Sequence, residues 1–239
     1  IFALNESDRS EKQLTKDSAN NFSPFVSPNG KYIVFTSNRK GAYHIWRMDA
    51  DGANSVQLTN FADGMDGDPQ MTGDGETVLF FRQKNDGSRA TMMKVSINGG
   101  EAAPALPDSQ AATLTPRVSA DGKQLAFFAF TYDGKTSNFE SSVKIADLEG
   151  NKIVETTRQI KKEFPGNFQW SPDGKALTFL NKAGIDNIWN LSLADAKETP
   201  LTDFKSGNIS FFVWSRDGKR LFIIRGIVNS DLILIKNKN

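Results

Sequence analysis

The chain has 239 residues, of which 38% are hydrophobic, 10% aromatic and 24% charged, with a formal net charge of +1. That balance is ordinary for a folded globular chain, and it excludes a global field favouring nucleic acid or an anionic membrane. There is no cysteine, so disulfide and thiolate chemistry are excluded, and no run nears the roughly 18 apolar residues of a spanning helix.

Residues 1–4 (IFAL) read as a strand, and a weaker strand follows at 13–16 (QLTK). From residue 22 a four-part unit begins. An apolar strand (22–27) enters the turn Asn29-Gly30, and a near-continuous apolar strand (YIVFTS) leaves it. An alternating strand follows at 45–48 (IWRM), and a weaker one at 56–59 (VQLT) lies behind a second Asp/Gly-rich turn. The entering strand recurs at 68–72, 114–119, 167–171 and 210–215, and the alternating strand at 92–97, 143–145, 188–193 and 231–235. The turn pair recurs as Asp74-Gly75, Asp121-Gly122, Asp173-Gly174 and Asp217-Gly218, at spacings of 45, 47, 52 and 44 residues.

Asn-Gly and Asp-Gly are the residue pairs of two-residue type I′ hairpins, which need positive φ at both central positions. Each turn is therefore expected to be a tight hairpin. The strands leaving the turns are apolar throughout, as strands buried on both faces are. Many short strands, evenly spaced and without helical periodicity, predict an all-β fold. Four strands in 44 to 52 residues make one blade of a β-propeller. The expected organisation is one domain: a partial blade at 1–21, blades at 22–67, 68–113, 114–166 and 167–209, and a last blade from 210.

The N-terminus is out of phase, since 1–4 resembles a third strand and 13–16 a fourth. Either 13–16 pairs with 231–235 and closes a five-bladed ring, or two strands lie upstream and the intact ring has six or more blades. The second is favoured, because 1–4 would be surplus in five blades. Ile1 reads as an internal or processed start.

The SPDGK turn leading into ALTFL, with IWRMDADG and QLT in the same register, resembles the blade repeat of TolB-type propellers along essentially the whole chain. Residues 214–236 also resemble propeller sensor regions of bacterial kinases and winged-helix regulators. The TolB resemblance implies a periplasmic or extracytoplasmic interaction scaffold that docks to a peptidoglycan-associated lipoprotein. Related propellers also cap the active sites of prolyl oligopeptidase-type hydrolases. Neither the α/β domain that precedes the TolB propeller nor a hydrolase domain is recognised in these residues.

No catalytic residue, cofactor or metal is assigned. His44 is the only histidine, no GxSxG elbow is present, and one histidine without cysteine does not make a zinc site. The turn acids are read as structural. Trp170, Trp214, Val26 and Val118 are expected in the core between blades, and Trp46 and Trp189 as packing residues. The segment Asp63-Gly64-Met65-Asp66-Gly67-Asp68-Pro69 is expected to be a solvated connection; its spacing does not match a calcium loop. Turns between first and second strands share one end of the blades. The longer, unlike connections share the other: 38–43, 60–68, 84–89, 107–112, 132–140, 161–167 and 203–209. Variable loops on a rigid scaffold are where binding usually resides. The expected partner is a protein or peptide, with no nucleic acid and no membrane insertion. Arg39, Lys40, Tyr43, Asp63, Asp66, Arg89, Tyr132, Phe139, Lys161 and Phe164 are the candidate binding residues. Arginine and aromatic side chains among them are the common interface anchors. An alternative is a carbohydrate- or peptide-processing enzyme using Asp63 and Asp66 in a central channel.

Overall fold

The computed structural model describes residues 1–5, 7–106, 112–133, 138–149, 152–160, 168–215 and 217–226. The described secondary structure is strand throughout. The chain divides into two compact units, Ile1–Glu163 and Phe164–Asn239.

In the first unit, β1 (Phe2–Leu4) pairs with β2 (Glu11–Gln13). Three four-stranded antiparallel sheets follow, each ordered as the chain runs. They are β3 (Asn21–Val26), β4 (Tyr32–Lys40), β5 (Ala42–Asp49) and β6 (Val56–Gln57); β7 (Gly64–Met71), β8 (Thr77–Lys84), β9 (Thr91–Ser96) and β10 (Ala103–Pro104); and β11 (Ala112–Val118), β12 (Gln124–Asp133), β13 (Asn138–Glu149) and β14 (Lys152–Ile160). The second unit holds the sheet β15 (Phe168–Trp170), β16 (Ala176–Asn181), β17 (Asn187–Ser192) and β18 (Glu198–Pro200), and the pair β19 (Asn208–Trp214) and β20 (Leu221–Gly226). These are the expected blade-like sheets. The third strand foreseen at 231–235, and with it the proposed pairing to 13–16, lies outside the described residues.

One contact recurs at the start of the chain and in two later sheets. Thr59 Oγ1 accepts a hydrogen bond from Ile45 N–H at 2.9 Å, and Leu58 N–H bonds Ile45 O at 2.8 Å. Thr202 and Leu201 repeat both bonds on Ile188 at 2.9 and 2.8 Å, and Thr15 and Leu14 repeat them on Ile1. The threonine follows its partner by 14 residues each time. The β1–β2 pair thus repeats the contact between the third and fourth strands of the later sheets, where the Leu-Thr pair clamps one strand to the other.

The first strands carry a second repeated device. Ser23, Asp68 and Thr115 have φ of 49°, 52° and 52°, each followed by proline, and the register with the second strand shifts there. Proline cannot donate to a ladder, and an edge strand at a bulge is where it is tolerated. Pro24, Pro69 and Pro116 each precede the turn glycine by six residues.

The core lies between successive sheets. Val34, Ile45 and Leu58 meet Met71, Val78, Phe80, Met93, Val95 and Ile97, while Leu79 and Met92 meet Leu125, Phe127, Ala129, Ala146 and Leu148. Leu14 covers Ile33, Phe35, Trp46 and Met48. In the second unit Leu180 and Ile188 pack on Ile209 and Phe212. Trp170 is buried, Val118 is partly buried against the core, and Trp214 donates its indole N–H to Thr178 Oγ1 at 3.0 Å. Val26 is not core: it is 52% exposed. After the bulge Phe25 packs against the core, which sends the next residue, Val26, to the opposite face.

Candidate functional site

The two ends of the sheets are built differently. At the turn end only the glycine of each pair has positive φ: Gly30, Gly75, Gly122, Gly174 and Gly218, between 68° and 73°. The expected type I′ hairpin is therefore replaced. Ser27 O accepts from Gly30 N–H at 2.8 Å, and Ser27 N–H bonds Tyr32 O across a four-residue loop. Serine, proline and glycine at the first, second and fourth positions are the preferences of a type I turn. Ser27 Oγ donates to Asn29 Oδ1 at 2.7 Å and accepts from Tyr32 N–H at 2.9 Å; Asn29 Oδ1 also accepts from Lys31 N–H at 3.0 Å. Thr72, Ser119, Ser171 and Ser215 repeat this arrangement with Asp74, Asp121, Asp173 and Asp217. The serine hydroxyl, followed by backbone N–H groups, holds the Asp121, Asp173 and Asp217 carboxyls below the ordinary 3.8. The serine or threonine two places before the acid is thus half of the turn, a role the hairpin reading missed although the residue type recurs in all five copies.

Within each unit, neighbouring turns also touch. A Cβ on Gly122 would lie 2.5 Å from Gly73 Cα, and one on Gly218 would lie 2.4 Å from Pro172 Cβ. Glycine there is needed for close approach as well as for its φ.

The connection end carries the chemistry. The expected connection 38–43 shrinks to a turn at Gly41 (φ 103°), because β4 runs to Lys40 and Lys40 pairs with Ala42. That of 132–140 shrinks likewise: Tyr132 pairs with Phe139 and Asp133 with Asn138, so both aromatic candidates lie on paired strands. The acidic segment is not a solvated loop either; β7 begins at Gly64. A Cβ on Gly64 would lie 2.1 Å from Gln83 O, and one on Gly67 would lie 2.7 Å from the Phe81 ring. Those glycines permit close strand approach instead of a turn.

Asp66 is fully buried, and its Oδ2 lies 3.2 Å from Nδ1 of His44, itself 4% exposed. Asp66 and Arg82 are cross-strand partners, with Arg82 Nε 3.9 Å from Asp66 Oδ1. Arg82 Nη2 reaches Asp63 Oδ1 at 3.3 Å, and the guanidinium lies over the Phe61 ring. Burial pushes the Asp66 carboxyl above its ordinary value; hydrogen bonds from Thr59 and His44 and the Arg82 charge pull the other way. Burial likewise lowers Arg82, opposed by Asp66 and Asp63. Asp68 turns elsewhere, to Arg117 Nη1 at 2.9 Å. Asp63 and Asp66 thus share Arg82 while Asp68 serves Arg117, and among the described residues no group of three His, Cys, Asp or Glu is placed to hold a metal. Ser37 is the cross-strand partner of His44, but its hydroxyl accepts from Arg39 Nε at 3.1 Å. Among the described residues no hydroxyl is hydrogen-bonded to His44.

The other candidates divide. Arg39 is held by Asp17 at 3.1 Å and Asn21 at 3.1 Å and stacks on Phe35 and Trp46. Tyr43 packs edge-on to Phe22 and accepts from Asn20. Lys40, Asp63 and Arg89 are exposed. Lys161 and Phe164 lie outside the described residues. An open groove of about 440 Å³ runs between β1–β2 and the next sheet, lined by Lys12, Lys16, Asp17, Arg39 and Asp51 among others.

Residues 1–103 match the family model of the TolB beta propeller domain. Among relatives, a Protein TolB homolog of Chlorobium chlorochromatii is 26% identical over 195 residues, covering 82% of this chain and 31% of that protein. Dipeptidyl-peptidase 5 of Trichophyton schoenleinii is 26% identical over 207 residues, covering 74% of this chain and 27% of the enzyme. The chain spans less than half the length of such relatives. Crystalline TolB from Acinetobacter baumannii superposes with a TM-score of 0.65 at 15% identity, covering 94% of this chain and 59% of that one; at such identity the shared property is the fold. With five copies of the turn and these matches, residues 1–103 carry a TolB-type β-propeller repeat and the described sheets share the TolB propeller fold.

Proposed function

We propose that this chain is a non-enzymatic binding module, an extracytoplasmic scaffold or the sensing part of a larger receptor, which takes a protein or peptide partner at the connection end of its sheets. One observation carries this reading. The turns are alike and locked by their own side chains, while the connections differ from sheet to sheet and present Lys40, Asp63 and Arg89 to solvent. Propellers serve many functions, so the unlike end is the place to look. The burial of His44 against Asp66 supports the non-enzymatic part, since a general base must reach a substrate proton.

The test is site-specific photo-crosslinking in envelope extracts from Lys40 and Arg89, with Lys31 and Lys123 at the turn end as controls. A defined adduct from the connection end alone, weakened by Lys40→Glu with Arg89→Glu, is the expected result. Adducts from the turn end alone, or none from either, would sink the proposal. The likeness to dipeptidyl-peptidase 5 favours a second reading, the propeller portion of a peptidase. Release of dipeptides by the full-length gene product would establish it.

A further inference from the structure

The chain holds two Asn-Gly dipeptides, Asn29-Gly30 and Asn98-Gly99, and both asparagines are exposed. Glycine after asparagine leaves the peptide nitrogen uncovered and free to take conformations that bring it to the side-chain amide. In each dipeptide the glycine N–H closes the turn, Gly30 to Ser27 O at 2.8 Å and Gly99 to Ser96 O at 2.9 Å. The asparagine side chains are held differently. Asn29 Oδ1 accepts from Ser27 Oγ at 2.7 Å and from Lys31 N–H at 3.0 Å, so the amide is tied to residues on both sides of it. The neighbouring turn adds a brace: a Cβ on Gly75 would lie 3.6 Å from Pro28 Cδ and 3.9 Å from Asn29 Nδ2. Asn98 lies in the turn between β9 and β10. Among the described residues its side chain meets only Arg47, whose Nη1 is 3.4 Å from Oδ1. Two glycines follow it, with φ of 85° and 112°, and a Cβ on either would meet nothing within 4 Å.

We propose that Asn98 is a site of spontaneous deamidation, and that the turn lock shields Asn29 from the same reaction. The Gly99 nitrogen gives its proton to solvent and attacks Asn98 Cγ. The new N–Cγ bond closes a five-membered imide, the Cγ–Nδ2 bond breaks, and the nitrogen leaves as ammonia after taking a proton from water. A water molecule then opens one of the two imide carbonyls, which gives aspartate or its β-linked isomer. In both turns this consumes the glycine N–H and with it the closing hydrogen bond. At Asn29 the side chain must also leave Ser27 and Lys31, two bonds that Asn98 lacks. The aspartate product places a carboxylate opposite Arg47, which already donates to Ile97 O at 3.1 Å and lies over the Tyr32 ring. An ion pair then replaces a long contact to a neutral amide and ties the β9–β10 turn more firmly to β5.

Peptide mapping by mass spectrometry tests this on the whole chain, incubated at mildly alkaline pH both folded and in urea. Cleavage after lysine and arginine puts the two dipeptides on separate peptides, 17–31 and 95–117. In the folded chain the amide-to-acid mass gain is expected at Asn98 at least about tenfold faster than at Asn29, the effect of two additional hydrogen bonds. In urea the two rates should converge. Ser27→Ala removes one donor to Asn29 Oδ1 and should speed conversion at Asn29 while leaving Asn98 as it was. Equal rates in the folded chain, or a faster Asn29, would overturn the proposal, as would an Asn29 that stays slow in Ser27→Ala. If that variant does not fold, the urea comparison decides: a rate ratio unchanged by unfolding would show that the turn shields nothing.

Discussion

The turn end and the connection end of these sheets show where a repeat is held to one sequence and where it is released from it. At the turn end each motif satisfies its own backbone, and within each unit neighbouring turns touch, as Gly73 does Gly122 and Pro172 does Gly218. A change there is felt twice. At the connection end the links after β6 and β18 are each anchored within neighbouring sheets, by the threonine clamp and by the stack of Arg82 on Phe61 or Arg225 on Phe204. Nothing requires one link to match the next, so composition drifts there and chemistry accumulates.

The sharpest way to break the comparison is at the buried cluster. Arg82→Ala removes the cation next to Asp66 and is expected to cost about 3–5 kcal/mol in urea unfolding. Arg225→Ala removes the corresponding but exposed stack and should cost under about 1 kcal/mol. Equal losses would mean that the buried charges contribute nothing beyond packing. Second in size is the contact between turns. Gly122→Ala meets Gly73 and also holds a φ of 72°, for a loss of about 2–3 kcal/mol. Gly174→Ala has the same φ problem (68°) but no atom within 4 Å of its Cβ, so about 1 kcal/mol is expected. The difference between the two isolates what turn contact adds.

Much of this was legible in the residues. The Asn-Gly and Asp-Gly pairs, the apolar second strands and the Leu-Thr fourth strands mark local geometry that any one copy must satisfy, so counting copies was enough to reach the sheets. The turn type was misread because Asp-Gly alone points to type I′, whereas the deciding hydroxyl stands two residues earlier. The Pro24, Pro69 and Pro116 bulges also stand at a constant offset from their turn glycines. The site was less legible. DGMDGDP has loop composition, and only contact with Gln83 and Phe81 shows why a strand wants glycines there. The pairing of His44 with Asp66 joins residues 22 apart on different sheets, for which sequence spacing provides no signal.

The turns yield two smaller effects. Ser119→Ala deletes the acceptor of Gln124 N–H and the donor to Asp121, and about 1–2 kcal/mol is expected. Acid should act in the same sense. Asp121, Asp173 and Asp217 have carboxyls lowered by folding, so their contribution is full above the ordinary 3.8 and is lost as pH falls through the lowered values. Asp66, raised by burial, has the opposite sign: its cost is present near neutrality and is relieved on protonation. Stability measured below about pH 4 should therefore fall in the wild type and fall less steeply in Ser119→Ala. Identical acid limbs would show that the serine does not hold the carboxylate.

The smallest expected effect is at the exposed connection. Arg89 is solvent-exposed between β8 and β9, where a charge is screened and no backbone group depends on it. Arg89→Glu should leave the unfolding midpoint within about 0.5 kcal/mol of wild type. Lys123→Glu, exposed at the turn end, is the matched control, because its backbone N–H and not its side chain serves the turn. If both are silent in stability but only Arg89→Glu changes crosslinking, the two ends differ in what they do and not merely in how they are built. A stability loss at Arg89 comparable to that at Gly122 would instead place the connection within the folding repeat and remove the contrast.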